Sequence, residues 1–149
     1  MAVVVLIDTN VWVSAFINPH GQPAKLKDAW LNNQFQVVVS VALLDELADV
    51  LSRPRIRDKY ALNAAEIAEF LRLLATKAIM VTTIGQLQVC RDPDDDLILE
   101  TALLGQARYA ISRDDDIKRD LELVTQMEAH GVTVLSVQQF LERLTSDNL

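Results

Sequence analysis

Apolar residues follow two rhythms along this chain. Val3-Val4-Val5-Leu6-Ile7 is a continuous, mostly β-branched run without polar alternation, as expected of a strand buried on both faces. Shorter runs at 36–39, 79–82, 109–111 and 132–135 read as further strands. Between them the spacing is helical. Helices are predicted over 11–16, 24–31, 41–51, 64–75 and 137–144. Another leads from the acidic run at 91–96 to about Leu104, where Gly105 closes it, and a short helical stretch leads to Gly131. Ser40 is placed to cap the helix over 41–51, whose apolar side carries Leu43, Leu44, Leu47, Val50 and Leu51 and which Arg53-Pro54 ends. Asn18-Pro19-His20-Gly21 is a turn.

Strands alternating with helices predict an α/β protein with a parallel sheet covered on both faces. Such sheets bind ligands at the carboxyl ends of their strands, near the point where strand order reverses. Asp8 directly follows the first strand, and Asp114 follows Tyr109-Ala110-Ile111 and Ser112-Arg113. Both should sit on one edge, and they converge if their strands are neighbours. The chain shows no repeat, low-complexity segment or linker, so one domain over 1–149 is expected.

Composition narrows the class. Half of the 149 residues are hydrophobic and only four are glycine, which is globular rather than disordered. The apolar run at 2–7 is far shorter than the roughly 20 residues that span a bilayer, and it lacks the marks of a leader, so no membrane partner is expected. Cys90 is the only cysteine, which rules out an intrachain disulfide and suits a reducing cytoplasm. The net charge of −7 argues against a protein that simply coats nucleic acid. The acids are also clustered: Asp92, Asp94, Asp95 and Asp96 crowd one stretch, and Asp114, Asp115 and Asp116 another. Clustered like charges repel unless something binds them, and a divalent cation is the usual answer.

Each acid also has an ordinary reading. Asp95 lies near a helix start, where one acid complements the dipole, but the run supplies four. Asp92 suits a loop that bonds its own backbone. Glu46 edges a leucine-rich face, as a solvated residue would; it gains meaning because a helix following a strand can aim a side chain back over the sheet edge. Taken together, the acids suit Mg²⁺ or Mn²⁺, hard ions that bind through carboxylates and water. Bare carboxylates repel a phosphodiester, and metal ions reverse that sign, activate water and stabilise the leaving oxygen.

Four segments in order resemble the PIN-domain family: Asp8-Thr9-Asn10-Val11; Ser40 and Glu46 in the helix ending at Arg53-Pro54; Arg91-Asp92-Pro93-Asp94-Asp95-Asp96 with Thr101-Ala102; and Ser112-Arg113-Asp114-Asp115-Asp116-Ile117. The resemblance spans Val3 to about Leu135. It implies a three-layer α/β/α fold with a five-stranded parallel sheet, and Mg²⁺- or Mn²⁺-dependent hydrolysis of single-stranded RNA. It further implies catalytic and metal-ligand roles for Asp8, Glu46, Asp95 and Asp114, with Asp116 an accessory ligand and Asp96 the alternative one position from Asp95. Asn10 corresponds to the polar residue that supports the first Asp, and Ser112 to a small hydroxyl residue. The most similar subgroup is the VapC-like toxins of bacterial toxin–antitoxin pairs, which adds a cognate antitoxin and a homodimer as expected partners.

Arg53, Arg55, Arg57 and Lys59 form a basic segment, and Lys118 and Arg119 a basic pair, that either guide RNA or are simply solvated. Arg113, where the subgroup commonly has glycine, either touches phosphate or is solvated. Trp12 and Phe16 share a helix face; Phe16 is expected in the core, whereas Trp12 suits core or interface. His20 and His130 lack ligand spacing, and Cys90 reads as a structural thiol. Rival readings fare worse. A receiver domain needs a lysine after a late strand, and none follows Lys118. A haloacid-dehalogenase-type phosphatase wants Asp where Asn10 stands. An EF-hand loop over 92–103 would need Gly at Leu97 and Glu at Leu103. A PIN-like scaffold that binds RNA or a partner without cutting is the non-enzyme alternative.

Overall fold

The computed structural model describes residues 2–147 and 149. Its strands are β1 (Val4–Ile7), β2 (Gln36–Ser40), β3 (Ile79–Val81), β4 (Tyr109–Ser112) and β5 (Thr133–Ser136). They form one parallel sheet in the order β3-β2-β1-β4-β5. The chain steps outward from central β1 to β2 and β3, then returns to lay β4 on the other side of β1. Strand order therefore reverses between β1 and β4, where Leu6 registers with Ala110 and Ile7 with Ile111. A cavity opens at the carboxyl ends of these two strands, as the alternating pattern anticipates.

The helices are α1 (Thr9–Ile17), α2 (Gln22–Leu31), α3 (Val41–Ser52), α4 (Pro54–Lys59), α5 (Ala64–Lys77), α6 (Pro93–Leu104), α7 (Asp114–Arg119), α8 (Leu121–Ala129) and α9 (Val137–Thr145). Helix α1 packs on α2 and α3, α3 on α5, and α2 on α9; α6 lies over β1 and β2 and meets α8. The result is an α/β/α arrangement around a five-stranded parallel sheet. Val5, Leu6, Ile7, Val37, Val38 and Ile111 are almost wholly buried, which explains why these strands read as unbroken apolar runs.

Three local features depart from the sequence reading. Arg53-Pro54 ends α3, as expected, but no loop follows. Pro54 instead takes the first position of α4, where its missing N–H costs nothing. The stretch before Gly131 is two helices, α7 and α8, separated at Asp120. Gly105 ends α6, but the left-handed residue there is Gln106 (φ 55°). Glycine is needed at 105 for close approach, because a Cβ there would lie 2.2 Å from Val38 Cγ2. That contact seats α6 on β2 and so fixes the helix that carries the third acidic segment.

Trp12 is a core residue, packed edge-on to Trp30 at 5.4 Å and tilted against Phe70. Phe16, expected deeper, is only half-buried; it contacts Phe70 and lines a shallow groove with Leu31 and Leu73. Among the described residues, no helix is long and apolar enough to cross a membrane.

Candidate active site

Asp8 is the first residue past β1. Its N–H still donates to Ile111 O at 2.9 Å, which extends the sheet pairing by one residue and holds Asp8 at the mouth of the crevice. It also occupies the capping position of α1 in extended conformation, with its carbonyl accepting from Val11 and Trp12. Its side chain makes no capping hydrogen bond across the first turn, the bond that a capping Asp usually makes. The carboxylate instead faces a cavity of about 230 Å³, whose polar lining comes from Asp8, Asn10, Asp95, Ser112, Asp116, Arg119 and Asp120. Apolar residues of β1, β4, α6 and α8 line the rest, including Leu6, Ile98, Ala110 and Leu123. Burial, then the charge of Asp116 and, more weakly, that of Glu46 push the Asp8 carboxyl up from 3.8 to about 6.

From the segment after β4, the carboxylate that meets Asp8 is that of Asp116. Asp114 opens α7 on the same sheet edge, as expected, but it is exposed and does not line the cavity. The helical step explains this: two residues on, α7 has turned Asp116 inward. Asn10 was expected to support Asp8; its amide donates instead to Asp116 Oδ2 at 3.1 Å. Arg113 Nε reaches the same oxygen at 3.1 Å, and Arg119 Nη1 lies 3.7 Å from Oδ1. Although burial opposes it, the bonds from Arg113 and Asn10 and the charges of Arg113 and Arg119 hold the Asp116 carboxyl below its ordinary range.

Helix α6 separates its acids by task. Asp92 caps the helix, accepting from Asp94 N at 2.9 Å, as its loop position suggested. Asp95 lines the cavity. Burial first, then a hydrogen bond with Asp120 and the charges of Asp120, Asp92 and Glu122 raise its carboxyl well above the ordinary range. Asp96 turns to the other side of the helix and accepts from Val89 N at 3.0 Å and Cys90 N at 2.8 Å. One turn later Glu100 accepts from Ile84 N at 2.7 Å and Gly85 N at 3.1 Å. These two buried carboxylates tie the loop between β3 and α6 to the helix. Of the adjacent pair, then, Asp95 faces the cavity and Asp96 holds the loop.

Glu46 lies on the exposed face of α3 at the rim, not in the cavity lining. Its carboxyl is raised by burial, Asp94 and Asp49, and lowered by Arg53. Arg53 pairs with Asp49 at 2.8 Å, while Arg55, Arg57 and Lys59 are exposed on α4, and Lys118 is exposed on α7. His20 is exposed in its turn, and His130 caps the end of α8, where its Nδ1 lies 2.7 Å from Gln126 O. Burial and the adjacent Asp96 carboxylate push the Cys90 thiol up to about 12, so it stays protonated and unreactive.

Sequence reasoning missed Asp120 and the loop-holding task of Asp96 and Glu100. Asp120 caps α8, accepting from Leu123 N at 3.2 Å, and lies beside Asp95 in the cavity lining. Its signal was legible: an Asp before the apolar run that starts at Leu121 is a helix start.

The donor set suits a hard divalent cation in kind: carboxylates from three separate elements line one cavity, and two of them are raised toward neutrality by burial and mutual repulsion. As the side chains stand, no three His, Cys, Asp or Glu among the described residues are gathered closely enough to hold an ion. Asp95 is engaged with Asp120, and Asp116 with Asn10 and Arg113.

Comparison with known proteins agrees with this geometry. Residues 4–116 match the family model of the PIN domain, a stretch that runs from β1 to Asp116. The chain is similar to an uncharacterized protein of the archaeon Methanocaldococcus jannaschii, 31% identical over 140 residues, covering 93% of this chain and 89% of that protein. PIN domains are generally nucleases that use divalent metal ions. With its five-stranded parallel sheet and the acids gathered at its switch point, the chain belongs to the PIN-domain family.

Proposed function

We propose that the protein is a Mg²⁺- or Mn²⁺-dependent endoribonuclease acting on single-stranded RNA. One observation carries the reading: Asp8, Asp95 and Asp116 come from β1, α6 and α7 to one cavity at the carboxyl ends of β1 and β4. Asp8, Asp95 and Asp116 would hold the ion, with Glu46 at the rim and Asp114 as an outer carboxylate. A bound divalent ion supplies positive charge toward the phosphate and makes water easier to deprotonate. Burial and the neighbouring carboxylates raise the Asp8 carboxyl to about 6, and a bound cation would relieve that penalty by favouring the ionised form. Water attacks phosphorus in line, the bond to the 3′ oxygen breaks, and the products carry a 5′-phosphate and a 3′-hydroxyl. Ser112 lines the cavity beside Asp8 and can hydrogen-bond a phosphate oxygen, while Asn10 keeps Asp116 facing Asp8. Arg53, the exposed Arg55 and Arg57 of α4, and Arg113 and Lys118 of α7 and its cap would meet the RNA backbone.

The test is cleavage of a single-stranded RNA by the purified chain with Mn²⁺, repeated with chelator and with Asp8→Asn. Cleavage that needs the ion and disappears in the variant supports the reading. No cleavage with either ion, or full activity in Asp8→Asn, overturns it. The resemblance to VapC-like toxins supports a toxin role with a cytoplasmic antitoxin partner and a homodimer. Growth arrest on expression, relieved by Asp8→Asn, tests that part.

A further inference from the structure

Asp8 and Asp116 face the same cavity, yet only Asp116 has guanidinium partners on its carboxylate. Arg113 Nε and Asn10 Nδ2 both sit 3.1 Å from Oδ2, and Arg119 approaches Oδ1 at 3.7 Å. The carboxylate is the buried end of this arrangement and the guanidiniums the open end: the Asp116 side chain is 15% exposed, Arg113 45% and Arg119 73%. Arg113 precedes the first turn of α7, so its side chain can leave Asp116 for the cavity mouth without unwinding the helix. A guanidinium and a divalent cation cannot both neutralise one carboxylate oxygen without repelling each other, and a released guanidinium is a planar, five-donor match to a phosphate.

We propose that Arg113 is a displaceable counter-cation of the site: it holds Asp116 until a divalent ion takes that carboxylate, and then binds a phosphate of the RNA strand. The inference rests on the nuclease reading above and adds to it that Arg113 works against ion binding and for RNA binding. A solvated arginine would give the same signs only through a diffuse field that Arg119 shares, so a response confined to Arg113 marks the direct contact. Arg119 also lines the cavity, but it is farther from Asp116, makes no hydrogen bond to it and is more exposed, so it contributes less to either.

The experiment measures Mn²⁺ affinity by electron paramagnetic resonance of the free ion, without RNA, and separately the KM for single-stranded RNA at saturating Mn²⁺. It compares the wild-type chain with Arg113→Ala, Arg113→Lys and Arg119→Ala. Arg113→Ala should bind Mn²⁺ about fivefold more tightly and raise KM about fivefold. Arg113→Lys keeps the charge but loses the Nε hydrogen bond to Asp116, and should still tighten Mn²⁺ binding by about twofold. Arg119→Ala should move neither quantity by as much as about twofold. Mn²⁺ binding no tighter in Arg113→Ala than in wild type overturns the inference. So does tighter binding with an unchanged KM, or an equal response from Arg119→Ala, which would reduce the effect to a diffuse field. In those cases a wild type that still cleaves leaves the nuclease reading standing. A wild type that neither binds Mn²⁺ nor cleaves overturns both. Should Arg113→Ala fail to fold, the Lys variant decides.

Discussion

Asp95 and Asp96 are chemically identical neighbours on α6, and they stand for two opposite kinds of site. Asp96 and Glu100 each accept two backbone N–H groups, and the Asp96 carboxyl is held below its ordinary range by the bonds from Cys90 and Val89 despite its burial. Asp95 and Asp8 face other carboxylates across a half-closed cavity, and both are pushed the other way. A buried carboxylate whose lone pairs are met by backbone donors serves the fold. One that is desolvated and repelled by its neighbours makes the folded state worse unless something positive arrives. The second kind is the mark of a functional site.

Exchanging charge for amide within each set should separate them. The largest effect expected is on cleavage: Asp8→Asn should lose about a thousandfold in kcat with RNA while keeping its circular dichroism spectrum. Asp95→Asn should follow, losing about a hundredfold in kcat with an unchanged thermal midpoint; Asp96→Asn should instead lower that midpoint, and the reverse pattern would swap their assignments. Glu100→Ala leaves the Ile84 and Gly85 N–H groups without their acceptor and should cost about 2 kcal/mol in urea denaturation.

The two sets should also tilt stability with pH in opposite directions. The Asp8 carboxyl is raised on folding, so its contribution is complete below pH 3.8 and is lost as pH rises toward about 6. In protein without divalent ions the loss is about 2 kcal/mol between pH 4 and 7, discounting for partial exposure. Asp8→Asn should flatten that slope. The Asp96 carboxyl is lowered on folding, so its contribution is present above its unfolded value and disappears as pH falls through the folded one. Denaturation curves at pH 3, 4 and 7 check both signs. The smallest effect belongs to the exposed α4 cations: Arg55→Ala with Arg57→Ala should raise KM about threefold and reduce the salt dependence of RNA binding.

Much of this was legible in one dimension. The β-branched runs mark each strand to within a residue or two, because strands buried on both faces must be apolar throughout. The position of Asp8 just past β1, and of the later acids just past β4, follows from the same runs. Less legible were places where a side chain chooses between close alternatives. Pro54 both ends one helix and starts another, and Phe16 and Trp12 share a face yet differ in burial by a small rotation of α1.

From the amino-acid sequence alone came the alternation of strand and helix, the parallel sheet and the order of four acidic segments, since periodicity and turn residues act locally. Tertiary structure alone decided which carboxylates share a cavity. Asp116 rather than Asp114 and the unanticipated Asp120 are selected by helix rotation, which also turns Asp95, already preferred from its motif, toward the cavity and Asp96 away. One residue on a helix turns a side chain by about 100°, and that angle is set by how α6, α7 and α8 seat on the sheet, not by any local signal.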